Sequence, residues 1–450
     1  MIPASRNRRV ARRLLLPVML AALTASGCAG LGKKDKPQTP TVGERTPILS
    51  HIATKVTVDP ALANVAVTLP AAQLNEEWAQ AGGNAAKNPG HVALSSAPSQ
   101  VWSAQIAGTS KKRRLAAAPV VGGGKLFAVG TDGVVHAFDA ATGAVTWTHR
   151  MDVSGDLQSA VFGGGASYFD GRVYVTNGAG EVAALDAQTG SEIWKVTPAG
   201  PLRGAPTVAF NTVFVMTQDN QIHALNITNG APVWQDFAST GQAGVFGVAA
   251  PAAGQGTVIA GYSTGELVAY RYENGRNLWS DALARTSIST AVGTLTDVDA
   301  DPIIDNGKVY ALGQGGRMAA YDLTTGQRVW ELTLAGISTP TIAGNWIFTL
   351  TDEAKLYAID RNTGRVRWET QLPRYRNEKK KSDPIFWSGP LLAGNRLWMA
   401  NTDGQLYLAD AGTGSASPYT DIKAGVSLPP LAANQMLYIL DDSGRITAWR

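Results

Sequence analysis

The chain has 450 residues, 44% of them hydrophobic, so it can bury several cores and lies outside the composition of disordered proteins. Its single cysteine excludes an internal disulfide, and no Cys/His series at metal-ligand spacing is present. The formal charge of +4 originates in the first 27 residues: without their five arginines, 34 basic side chains face 35 acidic ones, which argues against a nucleic-acid partner.

Residues 1–27 carry Arg6, Arg8, Arg9, Arg12 and Arg13, then an apolar run from Leu14 to Leu23, then Ala25-Ser26-Gly27 before Cys28. A basic region, a short apolar region and small residues form an export signal, and the run is too short for a permanent membrane span. The residues ending at Cys28 resemble a bacterial lipobox, with Ala25 where Leu is commoner. That resemblance implies cleavage before Cys28 and acylation of its thiol and new amino group. Ala29, where Asp would retain a lipoprotein in the inner membrane, implies sorting to the outer one.

Residues 28–98 form the next segment. Lys33 to Pro40 is polar and proline-bearing, as in a flexible leash. The Ala-rich stretch beyond it has weak periodicity. Leu74 to Ala81 is predicted to form one or two helical turns, and the segment is expected to lie on the outside of the domain that follows.

From residue 99 to 450 one pattern repeats. Gly143, Gly190, Gly230, Gly275, Gly326, Gly364 and Gly414 recur at intervals of 38 to 51 residues, and all but the last are followed four residues later by a Trp. Around them stand strand-forming runs separated by Asp, Asn and Gly turns, such as Lys125 to Gly130, Val134 to Asp139 and Val145 to Thr148. One four-stranded sheet cannot cover both of its faces, so this period predicts an all-β, radial array. Eight copies of the first run are present, but the chain stops before an eighth Gly and Trp. The unassigned run Gln100 to Gln105, with Trp102, supplies the missing strand, which predicts an eight-bladed β-propeller closed by pairing of its two ends. The tryptophans are expected to fill wedges between blades, and the seventh outer strand, with Pro418 in place of Trp, is expected to be short or irregular.

Chemistry is sparse. His136 and His223 occupy matching places in two repeats and read as repeat-filling side chains. No nucleophile elbow or phosphate loop is present, and the runs Gly122-Gly123-Gly124 and Gly163-Gly164-Gly165 read as turns. Neither a catalytic residue nor a cofactor or metal site is expected. An insertion from Pro373 to Pro384 carries Arg374, Arg376 and Lys379-Lys380-Lys381, a solvated loop or a contact to anionic lipid or cell wall.

The unit Ala-x-Asp-x-x-Thr-Gly-x-x-x-Trp, as in Ala137 to Trp147, resembles the repeats of pyrroloquinoline-quinone dehydrogenases. Those enzymes add a catalytic Asp, a calcium site and often adjacent cysteines, and this chain has no such cysteine pair. With its lipobox and with Asp297-Val298-Asp299-Ala300-Asp301-Pro302 before a blade, the whole chain resembles the BamB family of lipoproteins. The resemblance implies a non-catalytic scaffold at the periplasmic face of the outer membrane. It would bind the POTRA region of the barrel subunit BamA alongside other assembly subunits, and unfolded outer-membrane proteins are further candidate partners. Asp297 and Asp299 would be contact residues, with Val245 and Phe246 in the loop one blade earlier, where some relatives carry a charged Leu-Arg-Gly. The competing functions are a periplasmic quinone-dependent oxidoreductase and a general propeller for peptides or cell-wall polymers.

Overall fold

The structure is a computed structural model that describes residues 56–450 apart from 152, 154, 203, 240–248 and 284–296. The signal segment, Cys28 and the leash, as well as Val245 and Phe246, lie outside the described residues.

Among the described residues are eight four-stranded antiparallel sheets and one two-stranded hairpin. Each sheet is a blade whose strands run outward in chain order from a short innermost strand. The first blade is Val120–Gly122, Lys125–Val129, Val134–Asp139 and Val145–Arg150. In the eighth, Leu431–Ala433, Met436–Leu440 and Arg445–Trp449 are completed by Gln100–Gln105, with Trp102 opposite Ala448. The two ends of the ring therefore share one sheet, as the strand count requires, and Ser99 and Arg450 exchange both backbone hydrogen bonds at 2.8 Å.

Local chemistry explains the repeat. Asp139 Oδ1 accepts hydrogen bonds from the Thr142 amide and hydroxyl, both at 2.8 Å, and the same pair recurs at Asp186/Thr189, Asp322/Thr325, Asp360/Thr363 and Asp410/Thr413. The next residue, Gly143, has φ of +74°, a conformation that costs glycine nothing.

The glycine has a second task that the repeat alone does not reveal. A Cβ on Gly143 would stand 2.5 Å from the Trp102 ring, and one on Gly190 would stand 2.6 Å from Trp147. Each Gly thus receives the Trp of the preceding blade, not the Trp four residues after itself. Each indole also donates across the seam: Trp147 Nε1 to Ala187 O at 3.0 Å, Trp279 to Leu323 O at 2.8 Å, Trp368 to Ala411 O at 3.1 Å. Burying an aromatic side chain this way contributes a few kcal/mol, roughly 2–3 per seam.

The seventh outer strand is irregular but not short. Ala416–Asp421 is six residues long, as long as its counterparts, and the irregularity is a bulge shifted to Leu406/Tyr407. Its missing Trp matches the missing Gly of the eighth blade, so the two halves of that seam's joint are absent together. Tyr419 serves there instead: its hydroxyl donates to Pro98 O at 2.6 Å and its ring meets Trp398 edge-on at 5.0 Å.

The segment before the ring also differs from expectation. Leu74 to Ala81 forms isolated bridges and no helix; Pro60–Leu62 is a short 3-10 turn. Of its described residues, 56–65 lie against the outer strand of blade six, but those beyond do not stay outside the propeller. Starting beside Val366, where Asp59 donates to the Val366 carbonyl, it runs inward and circles the axis. Innermost strands carry free N–H groups toward the axis, and the segment supplies acceptors. Val121 N bonds Trp78 O, Tyr168 N bonds Ala79 O, Val208 N bonds Gln80 Oε1, Ala253 N bonds Ala85 O and Ile304 N bonds Ala86 O. Gly394 N bonds Val92 O, and Asn434 N bonds Asn75 O. At the sixth blade, Gly344 lies so close that a Cβ would meet Thr68 O at 3.2 Å. Edge amides that would lose water at the centre of the ring are satisfied in this way.

Candidate partner-binding surface

In each blade the connector into the innermost strand and the turn between the second and third strands lie on one face of the ring. The connectors into the fourth and fifth blades carry the residues singled out by resemblance. Ala252–Gly254 and Ile303–Asp305 are the strands they feed.

The Asp297-Val298-Asp299 stretch is clamped on both sides. Val298 N donates to Tyr262 O of the fourth blade at 3.2 Å, and Gln314 N of the fifth donates to Asp297 O at 2.9 Å. The Val298 side chain is fully buried against Gly261, where a Cβ would lie 2.5 Å from Val298 Cγ1. Asp297 and Asp299, the contact residues that the resemblance implies, are 1% and 6% exposed and so do not stand on the open surface. The physical reason is that the apolar residue between them packs into the seam and draws both neighbours down with it.

Asp301 is the third buried acid of this stretch. Its Oδ1 accepts the Ala250 amide at 2.7 Å, and its own amide donates to Thr339 Oγ1 at 3.0 Å. Burial pushes its carboxyl above the usual range, opposed by the charge of Lys87 and the Ala250 hydrogen bond. Lys87 is itself fully buried, its ammonium 3.0 Å from Thr207 Oγ1, and burial lowers it to about 8 against the attraction of Asp301. Lys87 was not singled out from the sequence; the available signal was one cation inside the small-residue run Gly82 to Pro89.

The other candidates resolve simply. His223 is buried, with Nε2 3.2 Å from Gln221 Oε1, and His136 stacks on Phe138 in another blade. Burial lowers both imidazoles. The basic insertion is a hairpin of Tyr375–Asn377 and Ser382–Pro384. Arg376 pairs with Asp403 and Arg374 with Glu353, while Lys379, Lys380 and Lys381 are exposed at the tip.

A quinone with its calcium ion does not fit the residues present. Among the described residues no group of three or more His, Cys, Asp or Glu could hold a metal ion. The inner edges of the blades are occupied by the chain's own residues 75–92. A cleft of about 460 Å³ opens between Asn88, Asp305, Lys308 and Arg361, but Arg361 is already committed to Asp305, Gly344 O and the Tyr310 hydroxyl.

Comparison with known proteins gives a consistent result. The family profile described as outer membrane protein assembly factor BamB matches residues 80–151 and 131–370. The BamB of Yersinia pestis is 26% identical over 359 residues, covering 78% of this chain and 88% of that one. Among solved structures, BamB from Moraxella catarrhalis superposes with a TM-score of 0.65 at 22% identity, covering 78% of this chain and 99% of that one. The quinohemoprotein alcohol dehydrogenase of Comamonas testosteroni gives 0.66 at 15% identity, covering 83% and 80%, a likeness of fold alone.

Proposed function

Because the chain belongs to the family of the outer membrane protein assembly factor BamB, we propose that it is a non-catalytic scaffold lipoprotein of the machinery that inserts β-barrels into the outer membrane. It is anchored through acylated Cys28 at the periplasmic face and binds the POTRA region of BamA alongside other assembly subunits. The observation that carries this reading is the family match across residues 80–370; among the described residues no group of three or more His, Cys, Asp or Glu could hold a metal ion beside a quinone.

The physical basis is a rigid ring that presents connectors from adjacent blades side by side. Loops on a stiff scaffold bind with little ordering cost. The connectors bearing Asp297 and Asp299 and bearing Val245 and Phe246 are the contact region. With both acids turned inward, the contact depends on the shape of the first connector and not on free carboxylates alone.

Mild-detergent purification of the natively expressed, tagged chain tests the reading. Recovery of a POTRA-bearing barrel protein in stoichiometric amount is the expected result, and its absence rejects the scaffold. The quinone-dependent alternative has only the shared fold in its favour, and adding the quinone with calcium should produce no stoichiometric chromophore.

A further inference from the structure

The buried cation at the axis is joined by a continuous path to both connectors of the contact region. Lys87 Nζ donates to Thr207 Oγ1 at 3.0 Å, and Thr207 Oγ1 donates to Pro251 O at 2.6 Å. Pro251 adjoins Ala250, whose amide donates to Asp301 Oδ1 at 2.7 Å. The end of the connector into blade four is thus tied by hydrogen bonds to the end of the connector into blade five, and the positive charge of Lys87 favours the ionised form of Asp301.

The backbone around Lys87 is held from both sides. Ala85 accepts from Ala253 of blade four, Ala86 accepts from Ile304 of blade five, and Asn88 donates to Asp305 at 3.0 Å. Lys87 itself adopts φ of +62°, an uncommon conformation for a residue with a Cβ. Glycine would take that conformation without strain; the side chain here is retained at a backbone cost. Simple space-filling does not account for a fully buried ammonium, since a hydrophobic group of the same length would fill the volume without desolvating a charge.

We propose that Lys87 is a positioning residue of the partner-contact surface: by balancing Asp301 it sets the spacing of the connectors into blades four and five. The proposal rests on the assembly reading above and adds that the amino-terminal segment is part of the binding apparatus. Removing Lys87 leaves Asp301 buried without its counter-charge, which loosens both connectors at once. Removing both charges relieves that penalty, because Asn at 301 still accepts from Ala250.

The experiment compares the mature chain with Lys87→Met, Asp301→Asn and the double variant. Met keeps the Cβ and most of the length of the side chain, so the charge and its hydrogen bond to Thr207 are deleted together, and the double variant isolates the part due to the charge. Hydrogen exchange is followed at residues 249–251 and 297–301, with the amides of Met436–Leu440 in blade eight as an internal reference, and binding to the isolated POTRA region of BamA is measured in parallel. In Lys87→Met, exchange at the two connectors should rise ~10-fold relative to the reference and partner binding should weaken ~10-fold or more, with both restored toward wild type in the double variant. A uniform rise across the ring, or connectors that loosen with unchanged binding, overturns the proposal, as does a double variant no better than the single. A wild-type chain that captures no POTRA region defeats the assembly reading instead, and the exchange comparison then still decides whether Lys87 governs the two connectors.

Discussion

The ring of Trp102 lies on the α-carbon of Gly143, and its Nε1 donates to Ala140 O at 3.2 Å. This is the joint by which the strand from the beginning of the propeller, seated in the last blade, grips the first. It has the geometry of the six joints elsewhere in the ring, with one difference: the strand that bears Trp102 is held in its blade by pairing with the carboxy-terminal strand alone.

Trp102→Ala should therefore behave differently from Trp279→Ala, although both delete a buried indole. Each is expected to lower stability by about 3–5 kcal/mol, read from urea denaturation. Only Trp102→Ala should also release its strand, so limited proteolysis is expected to cut it between residues 99 and 115 while Trp279→Ala stays intact there. Equal cleavage in both variants would contradict the closing role of this strand.

A chain that begins at Ser99 lacks the segment that circles the axis. The amides of Val121, Tyr168, Ala253, Ile304, Gly394 and Asn434 lose their acceptors, along with Val208. Those amides are expected to lose protection from hydrogen exchange first, with a fall in thermal midpoint. Unchanged protection at all of them would show that the segment is not their hydrogen-bond partner in solution.

Asp352, an exposed residue in the turn after the second strand of blade six, has its carboxyl raised to about 6 by partial desolvation and, secondarily, by Glu353. Between pH 4 and 6 the folded chain holds a proton that the unfolded chain has released, so this group's contribution to stability falls as pH rises through that window. Asp352→Asn should remove the fall and make the protein slightly more stable than wild type at pH 7, by less than about 1 kcal/mol because solvent screens an exposed carboxyl, while the two converge near pH 3.5. Denaturant midpoints measured across this range check the sign.

Charge reversal at Asp297 or Asp299 should damage the fold before it affects any interface. Both acids are buried beside Val298, so Lys at either place is expected to cost more than about 3 kcal/mol. Asn is the better probe of binding, since it keeps the shape. A folded Asp299→Lys with an unchanged thermal midpoint would place that side chain in solvent.

Much of the architecture was legible in the residues alone. Strand-forming runs, the count of eight first strands against seven glycines and the orphan Trp102 together required a ring closed by its ends, because hydrophobic sheets cannot leave faces or edges bare. Turn chemistry was equally local: Asp139 and Thr142 meet within four residues. What only the tertiary structure decided has no local signature. Gly143 answers to a tryptophan one repeat earlier, Asp297 and Asp299 are drawn inward by the packing of Val298, and the charge of Lys87 acts on Asp301 although the two lie far apart along the chain. Residues 75–92 show no period because their acceptors are matched one by one to the inner edges of separate blades, and partners so distant in sequence are set by where the ring brings them, not by spacing along the chain.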